Sequence, residues 1–107
     1  MSYDVSLVIN TGHQNAEVCD VGNMTYNVSP MFQEALGGDG LMGMQGHKAK
    51  DSIPLLQQAV KDMRDHPDKY KAMNPSNGWG DYHGALAYLE KLLESCKDHP
   101  RCTIYIC

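Results

Sequence analysis

Uncharged polar residues occupy every second position in the segment that runs from Asn23 to Asn27. The three are Asn23, Thr25 and Asn27, and in an extended chain their side chains point to the same side. Two amides and one hydroxyl can both donate and accept hydrogen bonds. Such a row suits either a set of contacts to a polar ligand or a solvated strand edge.

Residues 74–83 hold a second cluster, which contains the only tryptophan of the chain. Trp79 lies between two glycines, and a tryptophan in a loop either fills the edge of the core or offers a face for stacking. Asp81 or Asn77 can cap the helix that follows, and the backbone N–H groups at a helix start attract anions. The cluster therefore combines an aromatic ring, amide groups and backbone donors.

We predict that the row and the cluster meet in one wet cleft for a small polar ligand such as a nucleotide or a sugar. Trp79 or Tyr82 would stack on a base, while the amides and the hydroxyl would bond to ribose and phosphate. The alternative is a structural role, in which Trp79 is buried and the asparagines satisfy loop backbone. The predicted ligand-binding residues are Asn23, Thr25, Asn27, Asn74, Asn77, Trp79, Asp81, Tyr82 and His83.

A candidate metal site lies near the end of the chain. Cys96, His99 and Cys102 follow one another at intervals of three, with Cys107 close behind. Thiolates and imidazole are zinc ligands, and four of them would close a tetrahedral site. However, Cys96 lies on the apolar stripe of a predicted helix, and His99 stands where that helix ends. We therefore favour a structural role for these residues and predict no metal site.

Catalytic arrangements are less well supported by the sequence. Cys19 with His13 or His83 could supply a nucleophile and a base, but no hydrolase signature surrounds them. Glu90 and Glu94 are four residues apart on the exposed side of a predicted helix, which is more typical of a solvated face than of an acid–base pair. We predict no catalytic residue and no cofactor.

The glycine-rich segment 37–46 contains the letters G-x-G-x-x-G, starting at Gly38. The dinucleotide-binding fingerprint requires a strand before these glycines and a helix directly after them, whereas a helix is predicted before them here. We interpret the segment as a flexible connector. Its apolar residues, which we expect to pack onto the core, are Leu41, Met42 and Met44.

Hydrophobic periodicity predicts strands near both ends of the chain and helices between them. Residues 3–9 alternate, residues 16–21 alternate and would form a hairpin with them, and residues 103–106 indicate a closing strand. The predicted order is β-β-α-α-α-β. It favours an α+β domain in which about three strands, antiparallel or mixed, pack against three helices.

Capping residues define the predicted helix boundaries. Ser29-Pro30 would start the first helix and Gly37 would end it. The second helix would cover about residues 51–65, and the third about residues 81–98. Both longer helices would stop at the tripeptide Asp-His-Pro, because the residue before a proline disfavours helical backbone.

Composition limits the classes of function. The chain has 107 residues, which indicates a single domain over residues 1–107. Its net charge is −4 and its basic residues are scattered, so a nucleic-acid binder is not expected. No apolar run approaches the ~20 residues of a membrane span, and residues 1–10 lack the features of a signal peptide, so we predict a cytoplasmic protein without membrane contact.

Three segments carry a resemblance to a known group of proteins. "NMTYNVSPMFQEAL", "MNPSNGWGDYHGALAYLEKLLESC" and "HPRCTIYI" resemble small proteins of unknown function that are encoded by bacteriophages and bacteria, over most of the chain. The residues that match the repeated pattern of that group are Asn23, Thr25, Asn27, Met31, Asn74, Pro75, Trp79, Gly80 and Tyr82.

The resemblance implies a role against host defence. Small phage proteins of this type bind and sequester nucleotide-derived immune signals, such as ADP-ribose derivatives and cyclic nucleotides, or bind a defence protein directly. We therefore predict a non-enzymatic protein of the host cytoplasm that sequesters a nucleotide-like signal, with a homo-oligomer as a candidate assembly. The alternatives are an inhibitor that binds a host defence enzyme and a small hydrolase.

Overall fold

The computed structural model describes residues 2–107. Three strands form one antiparallel sheet in the order β2-β1-β3, and they are β1 (Ser2–Asn10), β2 (Asn15–Thr25) and β3 (Thr103–Ile106). The helices are α1 (Ser29–Leu36), α2 (Ala49–Asp65), α3 (Pro67–Lys71) and α4 (Tyr82–Asp98). The α+β fold predicted from the sequence is confirmed, and the sheet is antiparallel throughout.

Alternation along β1 divides the sheet into an apolar and a polar face. Leu7 pairs with Ile104 and Val5 with Ile106, and all four side chains are buried in the core that the helices also line. The opposite face carries Ser2, Asp4 and Ser6 at the intervening positions. This separation follows from the two-residue repeat of a strand, and it leaves a polar sheet face available for a site.

The two long helices end where the sequence predicts. His66 and His99 are the C-terminal caps of α2 and α4, and each precedes a proline. After His66 the chain continues into α3, whose Tyr70 is fully buried and donates its hydroxyl to the Asp62 carboxylate of α2. No helix within residues 2–107 has the length and apolar character needed to span a bilayer.

Two helices begin differently from the prediction because tertiary contacts intervene. The Ser29 hydroxyl does not cap α1; it donates to the Tyr26 carbonyl at 2.6 Å and shares a hydrogen bond of 2.5 Å with the Tyr3 hydroxyl. Helix α2 starts at Ala49, two residues early, since the Ala49 N–H donates to the Cys102 carbonyl at 2.8 Å. That bond ties the helix start to the turn before β3.

The glycine-rich segment, interpreted from the sequence as a flexible connector, contains a short helix that was not predicted. Gly40–Met44 forms a 3-10 helix in which Leu41 and Met44 are buried in the core. A β carbon at Gly40 would lie 3.0 Å from the Gln33 backbone nitrogen, so this glycine permits close packing against α1. Met42, which we expected on the core, is 41% exposed.

The outer strand β2 carries an irregularity next to Gly22. Gly22 follows a register shift and adopts a φ of 102°, which favours glycine. Its N–H donates to Asp20 Oδ1 at 2.9 Å, and its carbonyl accepts from the Tyr88 hydroxyl at 2.7 Å. Burial raises the pKa of the Tyr88 phenol, so the hydroxyl remains a donor. The hydrogen bond from Tyr88 therefore attaches α4 to the sheet at this irregularity.

Candidate functional site

The predicted row of polar side chains lies on the polar face of the sheet, at the end of β2. Asn23 and Thr25 belong to the strand, and Asn27 follows in the 3-10 turn Tyr26–Val28. Thr25 Oγ1 accepts hydrogen bonds from Asn27 Nδ2 at 2.9 Å and from the Asn27 backbone N–H at 3.3 Å. The turn thus keeps Asn27 beside Thr25, although the strand has already ended.

Residues of β1 complete this part of the site. Ser2 pairs with Thr25 and Asp4 with Asn23 across the strands. Asn23 Nδ2 donates to Ser2 Oγ at 2.7 Å and to Asp4 Oδ1 at 2.9 Å. With both amide hydrogens directed to β1, the carbonyl oxygen of Asn23 is the part of its side chain left to accept from a ligand.

The tryptophan-bearing loop is held by its own asparagine. Asn77 Oδ1 accepts from the Trp79 backbone N–H at 2.9 Å, and the Gly78 N–H donates to the Pro75 carbonyl at 3.4 Å. Gly78 and Gly80 have φ values of 76° and 90°, so the chain reverses on both sides of Trp79. The indole consequently projects from the loop, and it is 68% exposed.

The loop docks onto the polar row through close contacts. A β carbon placed on Gly80 would lie 2.7 Å from Thr25 Cγ2 and 2.9 Å from Val28 Cγ1, so only glycine fits against these methyl groups. Beside this contact, Asn77 Nδ2 donates to Asn27 Oδ1 at 3.4 Å. These contacts connect two segments that are about fifty residues apart in the chain.

Row and loop together enclose one open cavity of about 570 Å³. Its lining consists of five uncharged hydrogen-bonding side chains and one indole. The lining residues are Ser2, Asn23, Thr25, Asn27, Asn77 and Trp79. Five of these were predicted from the sequence, and Ser2 was missed because its place beside Thr25 depends on strand register. The alternation of Ser2, Asp4 and Ser6 along the strand could have shown that Ser2 lies on the polar face.

Four predicted site residues have other roles. Asn74 Oδ1 accepts from the Tyr82 N–H at 2.8 Å, and Asp81 Oδ1 accepts from the Gly84 N–H at 2.8 Å. Both side chains cap the start of α4, so these two amides are not available to an anion. His83 is exposed on the first turn of α4, with its ring 5.3 Å from that of Tyr82.

The structure corrects the prediction that Tyr82 stacks on a base. The side chain is only 4% exposed, and its hydroxyl donates to the Met63 carbonyl at 2.6 Å. Tyr82 precedes Ala85 by three residues and Leu89 by seven, which places it on the buried stripe of α4. Trp79 is therefore the aromatic residue that lines the cavity.

Among residues 2–107, no basic side chain lines the cavity. The charged group bonded directly to a lining residue is the Asp4 carboxylate, through Asn23. Lys91 lines a separate groove with Gly22, on the side of β2 that faces α4. The cavity itself is therefore neutral, with a negative charge beside it.

The cysteines are separate from this site. Burial raises the pKa of the Cys96 thiol to about 11 and also raises that of Cys102, so both are protonated at neutral pH. Cys107 is exposed. Within residues 2–107, no three or more His, Cys, Asp or Glu side chains come together as a metal site would require.

Fold and site together define a two-layer α+β protein with an open, neutral and polar cavity at one end of its sheet. Comparison with known proteins found no matching family model, no matching curated protein and no matching solved structure. The resemblance to small phage and bacterial proteins accordingly stays a prediction.

Proposed function

We propose that the protein binds a small nucleotide-derived ligand in this cavity and holds it without converting it. The observation that carries the proposal is the position of Trp79, which is 68% exposed at the wall of a neutral polar cavity. Stacking of a nucleobase on an aromatic side chain contributes about 1–3 kcal/mol, and it would remove apolar indole surface from water.

Cavity size and lining agree with such a ligand. A volume of about 570 Å³ is in the range typical of small-molecule sites. Asn23 can accept from the edge of a base through its carbonyl oxygen, and Asn27 and Asn77 each keep one amide hydrogen to donate. The hydroxyls of Ser2 and Thr25 can bond to the hydroxyls of ribose in the same way.

The chemistry of the lining supports binding in preference to turnover. General acid–base catalysis uses groups whose pKa lies near the working pH. Amides, aliphatic hydroxyls and an indole do not titrate in that range, and these are the groups that line the cavity.

The resemblance to small phage proteins supplies the biological part of the proposal. A protein that holds a nucleotide-derived signal lowers the free concentration of that signal when it is abundant and binds tightly. We therefore propose an anti-defence role in the host cytoplasm, with an ADP-ribose-like or cyclic nucleotide immune signal as the ligand. The alternatives are inhibition of a defence enzyme by direct contact and hydrolysis of a small substrate.

Thermal unfolding with ligands tests the proposal. Wild-type protein is heated with ADP-ribose, cyclic AMP, cyclic GMP and the common nucleotides at millimolar concentration. A ligand at 100 times its Kd stabilises the folded protein by about 2.7 kcal/mol, and each kcal/mol raises the Tm of a domain of this size by about 4 °C. We expect at least one compound to raise the Tm, and Trp79→Ala to abolish the rise without unfolding the protein.

Tyr105→Ala is the matched control, because Tyr105 is also an exposed aromatic residue but lines a different cavity with Ser6 and Val8. It should retain the full ligand-induced shift. Absence of any shift across the panel would contradict the proposal. Recovery of a hydrolysed ligand would favour the hydrolase, and a stoichiometric protein captured from host lysate would favour the inhibitor.

A further inference from the structure

We infer that the cavity recognises the uncharged nucleoside part of its ligand, base and ribose, and discriminates against phosphate. This inference rests on the proposed function and narrows the class of ligand. It also replaces our sequence-based expectation that the polar row would bond to both ribose and phosphate.

The lining contains none of the groups that normally bind phosphate. Phosphate sites use Arg or Lys side chains, or several unpaired backbone N–H groups at a helix start. No Lys or Arg of the described part of the chain lines the cavity. Two backbone donors of the loop are already engaged, since the Trp79 N–H bonds to Asn77 Oδ1 and the Tyr82 N–H bonds to Asn74 Oδ1.

Instead, a carboxylate is hydrogen-bonded to Asn23, a residue of the lining. Asp4 Oδ1 accepts from Asn23 Nδ2 at 2.9 Å, and Asp4 itself is exposed. A phosphate that bonded to Asn23 would come within a few ångströms of this negative charge. Like charges at such a distance repel one another, and the repulsion is reduced by salt. Asp4 therefore disfavours a phosphate beside Asn23, and the phosphate of the proposed ligand would lie away from this part of the cavity.

Neutral hydrogen-bonding groups have clear partners in the same cavity. Thr25 Oγ1 accepts from Asn27, which leaves its hydroxyl hydrogen to donate. Ser2 Oγ likewise accepts from Asn23 and can donate its own hydrogen. Together with the Asn23 carbonyl oxygen, these groups alternate donor and acceptor along the row, as the hydroxyls of ribose do.

Lys91 is the basic residue that could bind the phosphate of a ligand. It lies in the groove between β2 and α4, where its Nζ would be 3.7 Å from a β carbon on Gly22. Asn23 lines both the groove and the cavity, on the two sides of the strand edge. A ligand whose phosphate reached Lys91 would have to cross that edge, and a Lys91 variant tests this directly.

The test is a fluorescence titration, using Trp79 as the reporter. The probes are adenosine, guanosine, cytidine and uridine, each compared with its 5′-monophosphate at low and high salt. For the best base, we expect the nucleoside to bind about threefold or more tightly than the monophosphate at low salt. The difference should shrink at high salt and in Asp4→Asn, which keeps the acceptor oxygen but removes the charge.

Three results would overturn the inference. Tighter binding of the monophosphate in wild-type protein would reject it while leaving the proposed function intact. A monophosphate affinity that falls in Lys91→Met, with nucleoside affinity unchanged, would show that phosphate is bound after all. Failure of both nucleosides and nucleotides to bind would reject the proposed function, and this inference with it.

Discussion

Gly80 packs directly against Thr25, so that a β carbon on the glycine would lie 2.7 Å from the Thr25 methyl group. Thr25 belongs to the polar row and Gly80 to the tryptophan-bearing loop. This one contact therefore sets the distance between the two halves of the cavity. Its tightness explains why the loop has a glycine there, and it makes Gly80 the most sensitive position of the site.

Gly80→Ala should separate the loop from the row. The new methyl group would meet Thr25 and Val28, whose β-branched side chains have little freedom to move, and φ is 90° at this position. We expect a loss of roughly 2–3 kcal/mol in the free energy of unfolding, measured by chemical denaturation, and loss of ligand-induced stabilisation.

Gly78→Ala is the matched control for Gly80. Its φ of 76° is equally unfavourable for alanine, but its β carbon would meet no atom within 4 Å. We expect a loss of about 1 kcal/mol from the backbone alone and retention of ligand binding. Equal losses in the two variants would show that the contact with Thr25 is unimportant.

Asn77 has two bonds that substitutions can separate. Asn77→Asp keeps the oxygen that accepts from the Trp79 N–H but removes the amide that donates to Asn27, whereas Asn77→Ala removes both. We expect the alanine variant to lose about 1 kcal/mol and the aspartate variant less, because the bond to Asn27 is long at 3.4 Å. Trp79 fluorescence anisotropy should fall more in the alanine variant, and the opposite order would refute this account of the loop.

Tyr88→Phe should weaken the attachment of α4 to the sheet. The Gly22 carbonyl would lose the hydroxyl that donates to it at 2.7 Å, which lowers the free energy of unfolding by about 1 kcal/mol, measured by chemical denaturation. Tyr26→Phe is the control, because Tyr26 is half-buried and its hydroxyl has no partner among the described residues. Equal stability of Tyr88→Phe and wild-type protein would show that this bond is unimportant. Size-exclusion chromatography of wild-type protein at increasing concentration measures the predicted homo-oligomer.

Asp62 should make stability depend on acidity. The hydrogen bonds from Tyr70 and then Lys69 lower the pKa of its carboxyl below the usual 3.8. A lowered folded-state pKa contributes stability that is complete above the unfolded-state value and is lost as the pH falls below about 4. Denaturation curves at pH 7 and below pH 4 should show this loss.

Asp62→Asn should weaken that dependence, because the substituted group does not ionise. Asp65→Asn is a suitable comparison, since the Lys61–Asp65 pair is exposed on both sides and should contribute little. If Asp62→Asn and wild-type protein lost stability in parallel on acidification, the bond network around Asp62 would not be responsible.

Local signals were sufficient for most of the fold. The alternation of residues 3–7 and the Asp-His-Pro endings of two helices depend on neighbouring residues only, and both are confirmed. The predicted alternation fails at Val8 and Ile9, where Val8 is buried and Ile9 exposed after a shift in strand register. The start of α2 was missed because it depends on a bond from Ala49 to Cys102, more than fifty residues away. In the glycine-rich segment, burial of Leu41 and Met44 was predicted, whereas the 3-10 helix that contains them was not, because its glycines give no helical signal.

The site shows the same division between local and distant information. The two-residue spacing of Asn23, Thr25 and Asn27 was readable, but whether Trp79 would be buried or exposed was not, since that depends on how the loop docks. Tyr82 could have been assigned correctly from its spacing to Ala85 and Leu89. Its aromatic ring made it a candidate for stacking on a base, whereas the ring lies in the core and its hydroxyl bonds to Met63 there.

The distribution of thiols gives the protein a convenient attachment point for an optical sensor. Cys96 and Cys102 are buried and protonated, and Cys19 is half-buried, so a maleimide dye should modify Cys107 first. Cys107 is hydrogen-bonded to Asp4 through the backbone, and Asp4 pairs with Asn23, which places the dye about 10 Å from the cavity. Singly labelled protein would then report cavity occupation by a change in colour or brightness, without any engineered cysteine.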